Sequence, residues 1–368
     1  MPAAPLVYIF SGSSTLFFVA KAFRFLWGII KCTAMKTTGN WLIITILVLL
    51  LACFTRDRRP VPSKPVYAWK QMLPAGNGSH QYEWKPGTFP MGLVPHVAFG
   101  GNLWMTGQNA SWSSGDGITW TRHGKNDWGE RIWLSGIYFA GKLWQSGGMR
   151  YKERELTDEI WYSGDGSEWQ RAGNADWGPR KGHALVVFKN KLWLFGGTSK
   201  VSRDFESLEM KNDVWSSPDG LKWTREVAQA PWSPRDSPQM AVLRDTLYMV
   251  GAQGMADVWR SADGKVWTQL TAEAGWKKRY DMGVHAFDGK LWVFGGRDLN
   301  PDHHKGALND VWYSANGIDW LRDAEHAPWS VRSGGNSVVF HDRMWIFSGK
   351  HTGADPVWKG DVWALQKR

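Results

Sequence analysis

Five arginines recur in one setting. Arg131, Arg180, Arg235, Arg279 and Arg332 each stand 12 residues before an apolar-aromatic pair, three residues after Trp128, Trp177, Trp232, Trp276 and Trp329. At the same offset a sixth segment has Met91. A guanidinium grips carboxylate or phosphate through paired hydrogen bonds, so five converging arginines would form a pocket for an anion. The spacing also admits a scaffold reading, in which each arginine stacks on its tryptophan and pairs with a nearby acid such as Glu130, Asp236 or Asp281.

Further polar candidates follow the arginines closely: Lys181, His183, Asp236, Gln239, Tyr280, Asp281 and Asn336. His183 could serve as a general base, since imidazole titrates near neutrality, or be a hydrogen-bonded structural histidine. Trp133 offers a stacking surface for a sugar. Asp302, His303, His304 and His351 lack a recognised metal-ligand spacing, so neither metal nor cofactor is expected. Cys32 and Cys53 are the only cysteines, which excludes disulfides, thiolate sites and cysteine nucleophiles beyond residue 53.

The elements that must position these residues come from a repeat. Leu103-Trp104, Leu143-Trp144, Leu192-Trp193, Leu247-Tyr248, Leu291-Trp292 and Met344-Trp345 recur about every 48 residues. Trp112, Trp161, Trp215, Trp259 and Trp312 are each followed eight residues later by a second tryptophan, with Ser-x-Asp-Gly or Ser-x-Asn-Gly between. Asp-Gly and Asn-Gly supply the positive φ of tight hairpin turns. Each repeat therefore reads as four short strands, a to d, and the fold class is all-β, a six-bladed β-propeller. The sixth repeat stops after strand c, and a matching strand at 66–72 is expected to complete it, removing exposed edges. The long b–c connections, such as 149–159 and 198–212, make the b–c and d–a face the expected functional face.

Residues 41–51 are an apolar run too short to span a bilayer, followed by Leu50-Leu51-Ala52-Cys53, which is similar to a lipobox. The expected organisation is a signal or lipoprotein segment over 1–53, a linker over 54–65 and a propeller over 66–368. Translation starting at Met35 would make 1–34 a start-site artefact; the alternative is a membrane segment around 16–30. On this reading the chain is exported and lipid-anchored at Cys53 on the periplasmic or cell-surface side of a bacterial envelope membrane. The formal charge of +10 is no nucleic-acid footprint by itself, and no nucleic-acid partner is expected.

The repeat resembles kelch-repeat propellers, over roughly residues 66–368, with Ser-x-Asp-Gly-x-x-Trp ending the blades. The resemblance implies a binding module that takes an acidic glycan or a protein partner at the arginine-lined mouth. Its alternative is a carbohydrate-active enzyme of sialic-acid mutarotase or sialidase type. Galactose-oxidase chemistry, which needs a cysteine beside copper, is excluded by the cysteine positions.

Overall fold

The computed structural model describes residues 67–73, 95–107, 110–125, 127–150, 152–202, 208–299, 306–334, 336–347, 349 and 360–367. The chain divides into Met1–Lys64 and Pro65–Arg368, and the described residues all belong to the second unit. Cys53, Met91, Asp302, His303, His304 and His351 lie outside the described residues.

Among the described residues every helix or strand is a strand. The first four-stranded antiparallel sheet runs His96–Phe99, Asn102–Gly107, Ala110–Ser114 and Thr121–Lys125. The second to fifth sheets repeat this meander, starting at Ser135–Phe139, Ala184–Phe188, Met240–Leu243 and Gly283–Phe287. The sixth contains Asn336–Phe340, Arg343–Phe347 and Val362–Lys367, and its outer strand is Tyr67–Leu73 from the other end of the chain. The innermost strands neighbour one another in sequence order, and Asn336–Phe340 also lies beside His96–Phe99. This arrangement fits a β-propeller.

The repeated residues explain the meander. In the third repeat Ser217 Oγ accepts from the Gly220 N–H at 2.8 Å, and Asp219 Oδ1 accepts from Leu221 and Lys222 N–H groups at 2.8 and 2.9 Å. The turn's own side chains thus satisfy its backbone donors. The Trp144, Trp193, Trp292 and Trp345 indoles donate to the carbonyls of Phe139, Phe188, Phe287 and Phe340 at 3.0 Å, clamping each a–b turn. Those rings also reach the neighbouring sheet: Gly220 has φ +81°, and a Cβ there would stand 2.6 Å from Trp144. Gly117 of the first sheet meets Trp345 of the sixth in the same way. Core side chains fill the space between adjacent sheets, as with Trp193 and Phe195 against Leu247 and Met249.

Strand a begins only after the arginine segment. Its described starts are Ser135, Ala184, Met240, Gly283 and Asn336, so each arginine precedes the inner strand. A left-handed residue intervenes two positions after every arginine: Trp133, Gly182, Ser237, Asp281 and Gly334 have φ of 55°, 58°, 50°, 55° and 61°. This kink turns the segment away before the strand enters the sheet.

Candidate functional site

The five arginines do not form a free anion pocket. All are buried, at most 2% exposed, and each is committed to a carboxylate on strand c or just before it. Arg180 donates to Asp213 at 2.9 and 3.1 Å, Arg235 to Asp257 at 3.0 and 2.9 Å, and Arg332 to Asp361 at 2.9 and 2.7 Å. Arg279 pairs likewise with Asp310, and Arg131 with Glu159. Arg180, Arg235 and Arg332 lie 5.4–5.6 Å from the rings of Trp177, Trp232 and Trp329. The acids named from the sequence, Glu130, Asp236 and Asp281, are not these partners.

A signal for the true partners was present. Glu159, Asp213, Asp257, Asp310 and Asp361 each precede a strand-c tryptophan by two residues. Each accepts that indole N–H, as Asp257 does from Trp259 at 2.7 Å. Each of these carboxylates is thus held between a buried guanidinium and an indole N–H, and Glu159 also pairs with Arg150 and Arg171. Burial raises the Asp310 carboxyl, but the Arg279 hydrogen bonds and charge win and hold it below the usual range.

The cavity between the inner strands is a different site. It has a volume of about 380 Å³ and draws wall residues from all six sheets or the segments entering them. That volume falls in the range of ligand sites, about 300–1,000 Å³. His183, Trp133 and Asn336, proposed from the sequence, line it, and so does Gln239. Tyr280 and Asp281 do not: Tyr280 stacks 4.6 Å beneath Arg297, and Asp281 accepts from Gln253 Nε2 at 2.9 Å. The sequence reading missed His96, His285, Ser135, Ser237 and Ser337.

Among the described residues the lining carries no Asp, Glu, Lys or Arg. His183 Nε2 lies 2.9 Å from Ser146 Oγ, and its ring packs on Trp177 at 5.1 Å. Burial, with the Arg180 charge, pushes its pKa down to about 3. His285 Nε2 lies 2.8 Å from Ser337 Oγ, and burial pushes it down to about 4. Both imidazoles are therefore neutral at physiological pH, so they offer hydrogen bonds rather than charge. Trp133 presents an aromatic wall, with the Lys181 ammonium 4.6 Å from its ring centre. Lys181 in turn pairs with Asp236 at 2.6 Å, both buried. Among the described residues, no group of three His, Cys, Asp or Glu side chains could hold a metal ion.

Comparison with known proteins agrees with the repeat and the sheets. Residues 179–218 match the Kelch motif family model. The solved structure of YjhT superposes with a TM-score of 0.61 at 14% identity, covering 74% of this chain and 94% of that one. No curated protein sequence matches the chain. An all-β propeller-type fold built from these meanders defines the class. Within that class, residues 179–218 carry a kelch motif, and they fall in one of the repeated meanders.

Proposed function

We propose that the chain is a kelch-repeat binding module, a closed six-bladed propeller whose central cavity takes a small polyhydroxylated ligand the size of one sugar ring. The observation that carries the reading is the cavity wall: neutral hydrogen-bonding side chains from several sheets beside one tryptophan face. Sugars are recognised by such groups, with an aromatic surface for the ring and amide, hydroxyl or imidazole groups for the hydroxyls. Closure is supported by the contact between the first and sixth inner strands and by Trp345 seated against Gly117. Blade number is supported by six meanders with one pattern. Export with lipidation at Cys53 is proposed from the apolar run and the Leu-Leu-Ala-Cys sequence alone.

The test is thermal unfolding of the chain with a panel of monosaccharides, repeated for Gln239→Ala and Asn336→Ala. A ligand that binds only the folded state raises the midpoint by mass action. A shift that both substitutions abolish supports the reading; a shift that neither alters places binding elsewhere. Proton NMR of the same mixtures tests the enzymatic alternative, because anomerisation or hydrolysis alters the sugar signals directly.

A further inference from the structure

We infer that Asp236 sets the charge preference of the cavity: its carboxylate, just behind the wall, occupies the Lys181 ammonium that would otherwise attract an acidic ligand's carboxylate, so the cavity selects neutral sugars. The inference rests on the sugar-binding reading and narrows its ligand class.

Three observations support it. The residue after each scaffold arginine is Ile132, Lys181, Asp236, Tyr280 or Ser333. The arginine is constant and its successor differs in every repeat, so this position carries what distinguishes the sheets. Two of the five successors, from adjacent repeats, form one buried ion pair of 2.6 Å.

The second observation is the pair's place. Trp133, Gly182 and Ser237 all line the cavity. The Lys181 ammonium lies over the Trp133 ring, and a Cβ at Gly182 would collide with Asp236 Oδ1. The pair thus stands directly behind the wall, separated from the cavity by a glycine and one indole.

Third, scaffold stability gives no clear need for it. A buried ion pair often stabilises no better than apolar residues of the same shape. Burial raises the Asp236 carboxyl above its usual range, and Lys181 only partly offsets this. Trp133 and Ser237, which line the cavity on either side of the pair, are both in left-handed backbone without being glycine. Strain of that kind persists where the surroundings impose it.

Two linked experiments on the full chain test this. The first is chemical rescue of Asp236→Ala. Formate, but not formamide, is expected to raise its unfolding midpoint saturably by filling the vacated carboxylate position. Wild type and Lys181→Met/Asp236→Ala should not respond differently to the two. Where Asp236→Ala does not refold unaided, refolding yield in formate against formamide is the readout, and equal yields overturn the inference. The second compares D-glucuronate with its neutral isostere D-glucuronamide. Wild type should prefer the amide by about tenfold, and Asp236→Asn should reverse the preference. An unchanged ratio in Asp236→Asn overturns the inference. Rescue by formate with no binding of either sugar would sink the sugar reading while leaving the Lys181 anion position established.

Discussion

Trp69 and Trp329 meet edge to face, ring centres 5.7 Å apart and planes at 78°, although they are 260 residues apart in the chain. The contact recurs locally in other repeats, as Trp128–Trp169 at 4.8 Å and Trp276–Trp320 at 4.3 Å. In those pairs the residue just before strand d of the same repeat supplies the second ring. In the sixth sheet Tyr67–Leu73 supplies it. Trp69→Ala is expected to cost roughly 3 kcal/mol, the range for large aromatic truncations. Removing residues 67–73 should go further, exposing Val362–Lys367 as an unpaired edge and promoting association. Urea denaturation and light scattering check the two effects; unchanged stability in both variants would mean the sixth sheet does not need its outer strand.

The Arg279–Asp310 pair is scaffold rather than site. Arg279→Met leaves a half-buried carboxylate without its partner, a change worth up to about 3 kcal/mol. The Asp310 carboxyl lies below its usual range in the folded state. Its contribution is therefore fully present above the unfolded carboxylate pKa, about 4, and is lost as pH falls through the lower folded value. Denaturant midpoints from pH 7 to pH 2 should show an acid-side decline that is shallower in Asp310→Asn, and sugar affinity should not change in any variant that stays folded.

Two glycines with the same backbone demand separate conformation from packing. Gly129 has φ +76° and open space where a Cβ would stand; Gly220 has φ +81° and the Trp144 ring at 2.6 Å. Gly129→Ala should cost about 1–2 kcal/mol for the left-handed backbone alone. Gly220→Ala should cost about 1–3 kcal/mol more, because the indole between neighbouring sheets must move. Equal losses by calorimetry would show that the ring yields freely.

The repeat was legible because packing wrote it in large letters: a tryptophan at five of the six a–b clamps and Tyr248 at the other, and in five repeats tryptophans eight apart on strand c and just before strand d, with Asp-Gly or Asn-Gly turns between. The antiparallel partner of the 67–73 strand was legible too, since the sixth repeat has three strands and that segment carries the matching Trp69. The arginine partners were not. Arg279 and Asp310 are 31 residues apart across a b–c loop, whereas the acids first considered, such as Asp281, were chosen for nearness in sequence. The left-handed position after each arginine was hidden because only Gly182 and Gly334 advertise it; Trp133, Ser237 and Asp281 do not. His285 escaped because it sits six residues beyond its arginine, while His183 sits three beyond. Register along an inner strand decides which residue faces the cavity, and a one-residue kink changes that register.

The cavity histidines give the last prediction a pH sign. Burial holds His183 at about 3 and His285 at about 4, both below the ordinary value near 6.5. A histidine with a depressed folded pKa contributes stability that is present above its unfolded pKa and lost as pH falls through the folded value. Both imidazoles remain neutral in the fold from pH 5 to pH 8, so sugar affinity should be flat across that window. Stability should already decline below about pH 6.5, well before the Arg279–Asp310 pair is affected. His285→Gln keeps a hydrogen-bonding group near Ser337 and removes one titrating ring, so it should flatten the decline between about pH 6.5 and pH 4. Unfolding midpoints measured at half-unit pH steps decide this. A His285→Gln profile parallel to wild type would mean that the His285 ring takes up its proton at the same pH folded and unfolded, and the burial-depressed pKa given to it in the cavity would fall.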